Sequence, residues 1–172
     1  MRTLFHSLVF LSLGLWLGSL VFFAAILAPL AFTQLPPLFP DPAAGIHAAG
    51  VIVGGSLVRL HWMGMACGVV FLVATLLARP HYRSIIPQSV LVVAMLVLTG
   101  YSQFSIIPRM DIARDSVGGS IEAVAANNPG RQIFDRLHQE SVRVETVVLI
   151  CGLGALFLTA HLLRRDAGVR PL

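Results

Sequence analysis

His61, His138 and Glu145 are the residues of this 172-residue chain whose types and spacing point most directly to chemistry. An imidazole can ligate a metal, and in its neutral form it offers one donor and one acceptor nitrogen. His61 stands in line with Gly50, Gly54, Gly64, Gly68 and Thr75, positions that step by three, four or seven and so share a helix face. His138, Ser141, Glu145, Gly152, Ala155 and Thr159 form a second such line. Small residues let helices approach closely in lipid, so both lines are expected to face other helices and to turn their histidines inward. Two inward histidines on different helices can ligate a haem iron axially, and one can hold the magnesium of another tetrapyrrole. Copper is the lesser alternative. His61 and Met65, and likewise Met63 and Cys67, lie four apart with donors that favour Cu(I), but methionine and cysteine in an apolar helix ordinarily just pack.

The elements that position these residues are membrane helices. The chain is 56% hydrophobic and 12% charged, where a soluble domain carries about 25% charged residues. Lipid must be the solvent for much of it. Four apolar stretches, at about 5–32, 44–78, 87–107 and 131–163, read as spans of one all-α four-helix bundle. The first is too long for the apolar core of a signal peptide. Pro29 is expected to kink or end it, and Pro108 to stop the third. Residues 109–128 are the one substantial polar segment. They read as a surface-lying amphipathic helix or a solvated loop, with Asn128 as a helix cap before Pro129. Cys67 and Cys151 both lie in apolar runs and fit no zinc spacing.

Every basic residue is arginine, and the net charge is +4. The arginines flank apolar runs rather than forming a patch, so the charge argues for a bilayer and against nucleic acid. Arg2, then Arg79 and Arg83, then Arg164, Arg165 and Arg170 mark one side as cytoplasmic, which puts both termini inside. Counting about 20 residues per crossing from that side brings Arg59, His61, Tyr101, Gln103, Arg109, His138, Ser141 and Glu145 towards one polar layer at the periplasmic end. Ionisable groups facing a bundle interior are functional candidates by default. The architectural alternative is that Arg59 or Arg109 neutralises Glu145 while the histidines bond across helices.

Several segments carry a resemblance. They are Trp16-Leu17-Gly18, Ala28-Pro29, Gly50, Leu60-His61-Trp62-Met63-Gly64, Pro108-Arg109-Met110 and Phe134-Asp135-Arg136-Leu137-His138-Gln139-Glu140-Ser141. In these the chain resembles an uncharacterised bacterial membrane family related to the eukaryotic transmembrane protein implicated in cisplatin resistance. More distantly, it is similar to the CopD copper-resistance membrane proteins. The family pattern tends to carry asparagine where this chain has Glu145, and another near the outer end of helix three, where this chain reads Tyr101-Ser102-Gln103-Phe104. The resemblance implies a four-helix membrane fold and brings metal transport or resistance into view.

The expected function is therefore that of a small bacterial inner-membrane protein with a histidine-lined periplasmic site. His61 and His138, with Met65 for a metal, would bind a haem, another tetrapyrrole or a metal, supported by Arg59, Tyr101, Gln103, Arg109, Ser141 and Glu145. The alternative is a structural or accessory subunit, associating with other membrane subunits or with copies of itself. No phosphate loop, nucleophile elbow or zinc-protease motif is present, and an enzyme is not expected.

Overall fold

The computed structural model describes the backbone of residues 2–77, 86–118 and 120–168. Every regular element among them is helical. They are α1 (Arg2–Phe22), a π-helical turn (Phe23–Leu27), α2 (Ala28–Gln34), a 3-10 turn (Pro36–Leu38), α3 (Pro42–Leu77), α4 (Ile86–Tyr101), a second π-helical turn (Ser102–Ile106), α5 (Ile107–Asp115), a second 3-10 turn (Ile121–Ala123) and α6 (Pro129–Gly168). Joined end to end, they give four spans long and apolar enough to cross a membrane: Leu4–Leu38, Pro42–Leu77, Ile86–Asp115 and Pro129–Leu162. Hydrocarbon offers the backbone no partners, so apolar runs of this length close their hydrogen bonds internally as helices. The spans have 35, 36, 30 and 34 residues, well above the roughly 20 that cross the hydrocarbon core. The arginines that set the orientation lie outside the described residues: the backbone of Arg79, Arg83 and Arg170, and the side chains of Arg2, Arg164 and Arg165.

Neither proline ends its helix. Pro29 sits inside α2 and Pro108 inside α5. A proline lacks an N–H and its ring clashes with the carbonyl four residues back. The chain relieves both problems one turn early, with a π-turn ahead of each proline. The Ala28 N–H reaches back to the Phe23 carbonyl, and the Ile107 N–H to that of Ser102. The third span thus runs on to Asp115 instead of stopping at Pro108.

The first seven residues of the polar segment, 109–115, are therefore part of a spanning helix, and its remaining described residues are turn and loop. Its first part extends span three, and the chain then turns at Gly118, whose φ of 67° lies in the left-handed region that glycine tolerates. A 3-10 turn follows at Ile121–Ala123, with Ile121 buried. Asn128 caps α6 as expected: its Oδ1 accepts from the Gly130 N–H at 2.8 Å and the Arg131 N–H at 3.4 Å.

The spans run alternately up and down. Trp16 of span one lies under Gly64 and Gly68 of span two, Gly68 also faces Leu96 of span three, and Gly152 of span four meets Leu17 and Met95. The core formed between them includes Leu13, Trp16, Phe71, Val92, Met95, Val148 and Ala155, each at most 1% exposed. The glycine line of span two is in contact only along its lower half, since a Cβ at Gly50 or Gly54 would meet nothing within 4 Å. Gly14 and Gly18 of span one likewise look outward, because the packing face of that helix carries the bulkier Leu13, Trp16, Leu17 and Leu20.

The two helical hairpins, spans one and two against spans three and four, repeat one pattern. At a constant offset the π-turns coincide and Pro29 matches Pro108. At that offset Leu13, Trp16, Leu17, Leu20 and Leu27 match Val92, Met95, Leu96, Thr99 and Ile106. At a second offset, 84 residues, His61 matches Glu145. Cys67-Gly68 then matches Cys151-Gly152, and Thr75 matches Thr159. The packing obeys the same exchange. Gly68 meets Leu96 and Trp16, while its counterpart Gly152 meets their counterparts, Leu17 and Met95. Such parallel repeats are related by an axis along the membrane normal.

Candidate functional site

His61 sits on α3 sixteen residues before Leu77, so it lies roughly 24 Å from that end of the helix at 1.5 Å per residue. It is 1% exposed. Gly64, one turn on, lets the Trp16 indole close over the helix, and the packed neighbours fix the imidazole's position. Both ring nitrogens are engaged. Nδ1 lies 3.0 Å from Gln103 Oε1, and Nε2 lies 2.8 Å from Glu145 Oε1. Gln103 is carried on the second π-turn. The extra residue in that turn shifts the face presented by span three, and π-turns are frequent at functional sites for this reason. Glu145 comes from α6 and is 17% exposed, and its second oxygen, Oε2, is buried without a hydrogen-bond partner.

An ionised carboxylate and an amide oxygen can only accept. As placed, the Gln103 and Glu145 oxygens face the two ring nitrogens, an arrangement that a doubly protonated ring satisfies, and that a neutral ring satisfies once the Gln103 amide turns its N–H towards Nδ1. A buried imidazolium–carboxylate pair holds where the geometry is good and the remaining polar atoms are satisfied. Here one carboxylate oxygen is left over.

The other expected site residues separate into those near this cluster and those apart from it. Ser141 is buried one turn before Glu145 on α6. Tyr101 donates a 2.5 Å hydrogen bond to Glu140 Oε1 on the outer surface. Arg59 is exposed and turns back to donate to the Gly55 carbonyl at 3.0 Å. Arg109 is exposed. Neither arginine forms an ion pair with Glu145 among the described residues, and His61 takes that role instead. The structure does not bring His138 to His61. His138 is exposed and stacked on Phe134, with centroids 6.2 Å apart and planes 2° from parallel. It precedes Glu145 by seven residues, roughly 10 Å along the helix, so the two histidines cannot share one ion as placed. Met65 is half-buried, and both cysteines are free. Among the described residues, no three His, Cys, Asp or Glu side chains come together as a metal site.

Sequence reasoning underrated Gln103, which appeared only as support yet holds the second ring nitrogen. It also missed Ser102 and Thr99, buried at 0% and 1% exposure with hydroxyls that make no hydrogen bond. The signal for both was the run of polar residues within an apolar helix just before Pro108.

Residues 11–116 match a family described as a domain of unknown function, DUF4149, and the chain belongs to it. No curated protein and no solved structure matches.

Proposed function

We propose that this is a small multi-pass protein of the bacterial inner membrane, with both ends cytoplasmic, that works by holding a proton in a buried His61–Gln103–Glu145 cluster near the periplasmic end of the bundle. One observation carries the reading: a fully buried imidazole has both nitrogens facing acceptors, from two other spans. Intramembrane histidines and carboxylates that pair inside a bundle are the usual parts of proton relays. The unpartnered Glu145 Oε2 gives the proton somewhere to go. Transfer from His61 Nε2 to Glu145 Oε1 leaves a neutral imidazole and a neutral carboxyl, and turning that carboxyl carries the proton to the side where Oε2 lies, away from His61. The reading assigns the chain no enzymatic turnover.

The tetrapyrrole and metal variants use the same histidine. A carboxylate hydrogen-bonded behind an imidazole is how ligating histidines are commonly oriented. Glu145 would keep that role while Gln103 swung away from Nδ1. A second reading, an accessory subunit without chemistry of its own, is favoured by the outward small residues Gly14, Gly18, Gly50 and Gly54, which leave open space for a neighbouring helix.

The experiment is an absorption spectrum with metal analysis of the purified protein, beside its Glu145→Gln variant. The proton reading expects no Soret band and no stoichiometric metal. A Soret band or stoichiometric copper, lost in His61→Ala, would replace it with the cofactor or metal variant.

A further inference from the structure

The repeat axis carries a second polar layer at the opposite end of the bundle, where spans one and three begin and spans two and four finish. A cavity of about 10 Å³ lies there, lined by Val9, Phe71, Thr75, Gln88, Thr159 and Leu162. Two exchange pairs surround it: Thr75 with Thr159, and Val9 with Gln88. Residues that face their own counterparts lie about the axis, as His61 and Glu145 do at the other end. In both layers the repeats have diverged in polarity, His61 against Glu145 and Val9 against Gln88, while the middle between them keeps the Gly68–Gly152 pair and apolar side chains.

Thr75 and Gln88 are each 3% exposed, and Thr75 Oγ1 and Gln88 Oε1 make no hydrogen bond. An orphaned buried polar atom is destabilising, so two of them lining one cavity require an account. Thr159 Oγ1 donates to the Ala155 carbonyl at 2.7 Å, which leaves its lone pairs open to accept.

We propose that this cavity is a built site for one water molecule, which clasps spans two, three and four together. The donor and acceptor counts close. Thr75 Oγ1–H donates to the water oxygen, and the water's two hydrogens go to Gln88 Oε1 and Thr159 Oγ1. Three hydrogen bonds is the usual number for a buried water, and roughly 10–15 Å³ is the space one needs. A bare monovalent cation of similar size would meet the same three oxygens. Among the described residues no carboxylate lines the cavity, however, and neutral oxygens in so small a set do not offset the ion's desolvation. The two ends of the axis thus differ in kind. The end with His61 and Glu145 is closed by a direct charge-assisted contact, and the other by a neutral, water-mediated one. The inference holds whether or not the proton reading of His61 does.

The test is a double-mutant cycle on the full-length protein, with Thr75→Val, Gln88→Leu and the pair, each read by thermal unfolding. The water site predicts that each single change lowers Tm by about 2–4 °C, the shift for roughly 1 kcal/mol at this size. It also predicts that the double variant falls no further than the worse single one, because the water is lost only once. A dry cavity predicts the reverse: Thr75→Val removes an orphaned hydroxyl and leaves Tm unchanged or raised, and the effects add. A sodium arm separates the sources. Exchanging choline chloride for sodium chloride should leave Tm unmoved, and a sodium-dependent rise abolished by Gln88→Leu would overturn water in favour of a cation. If a variant fails to fold, density in a high-resolution structure of the unaltered protein decides. A peak about 3 Å from all three oxygens supports the site, and a flat map rejects it.

Discussion

The first hairpin is built for bulk and the second for polarity, on one shared frame. Where span one places Val9, Leu20 and Phe23, span three places Gln88, Thr99 and Ser102. Where span two leaves Gly64 bare for the Trp16 indole, span four carries Val148 at the matching position and span three carries the slimmer Met95 in place of Trp16. The frame itself persists through the π-turns, the prolines and the Cys-Gly pairs. Frame and chemistry are therefore separable: large-for-small exchange at Trp16 and Gly64 keeps the bundle closed, and the volume it occupies leaves the polar work to the second hairpin. His61 is the exception, the one ionisable group that the first hairpin lends to the site.

The comparison can be broken most severely at Gly64. A Cβ there would land on the Trp16 indole, and overpacking a filled core costs about 1–3 kcal/mol or more. Gly64→Val should sharply reduce the yield of monodisperse protein in size-exclusion chromatography. Adding Trp16→Met, which copies the Met95–Val148 pair into the first hairpin, should restore much of it. No recovery would show that the two hairpins do not share a frame.

The site is expected to show a loss at least as large. Glu145→Ala strips His61 Nε2 of its partner, and breaking a buried pair costs about 3–5 kcal/mol. Thermal unfolding should record most of that loss, and Glu145→Gln, which keeps an acceptor, should record clearly less. Gln103→Ala should cost about 1–3 kcal/mol, the range for leaving one buried polar group unpaired. Asn128→Ala removes the cap of α6, worth about 1 kcal/mol, and urea titration at the polar loop would detect it. His138→Ala should fall within about 0.5 kcal/mol, as for most exposed positions, and should leave any bound species unchanged. A large loss there would return His138 to the site.

The four spans were legible because the sequence runs apolar for longer than a bilayer is thick, and the Asn128 cap because Asn-Pro is a local signal. The polar positions His61 and Glu145 were legible for a related reason, since helical spacing ties each to small residues that must pack. Continuation through Pro29 and Pro108 was not, because a π-turn is a backbone response that leaves no residue of its own in the sequence. His138 was misplaced for the opposite reason. Spacing puts it on the line of Ser141 and Glu145, but at that level α6 turns Leu137 inward, at 2% exposure, and leaves His138 exposed. The repeat was written in Cys67-Gly68 and Thr75 against Cys151-Gly152 and Thr159. A few matches in an apolar background stand out only once contacts pair them.

The account rests on the state of His61, which nitrogen NMR reads directly. With histidine labelled with ¹⁵N in the purified protein in lipid nanodiscs, the proton reading predicts that both His61 ring nitrogens carry hydrogen. Glu145→Gln should convert the ring to a neutral tautomer with one bare nitrogen. A neutral ring in the unaltered protein, or a nitrogen shifted by a bound metal, would contradict it.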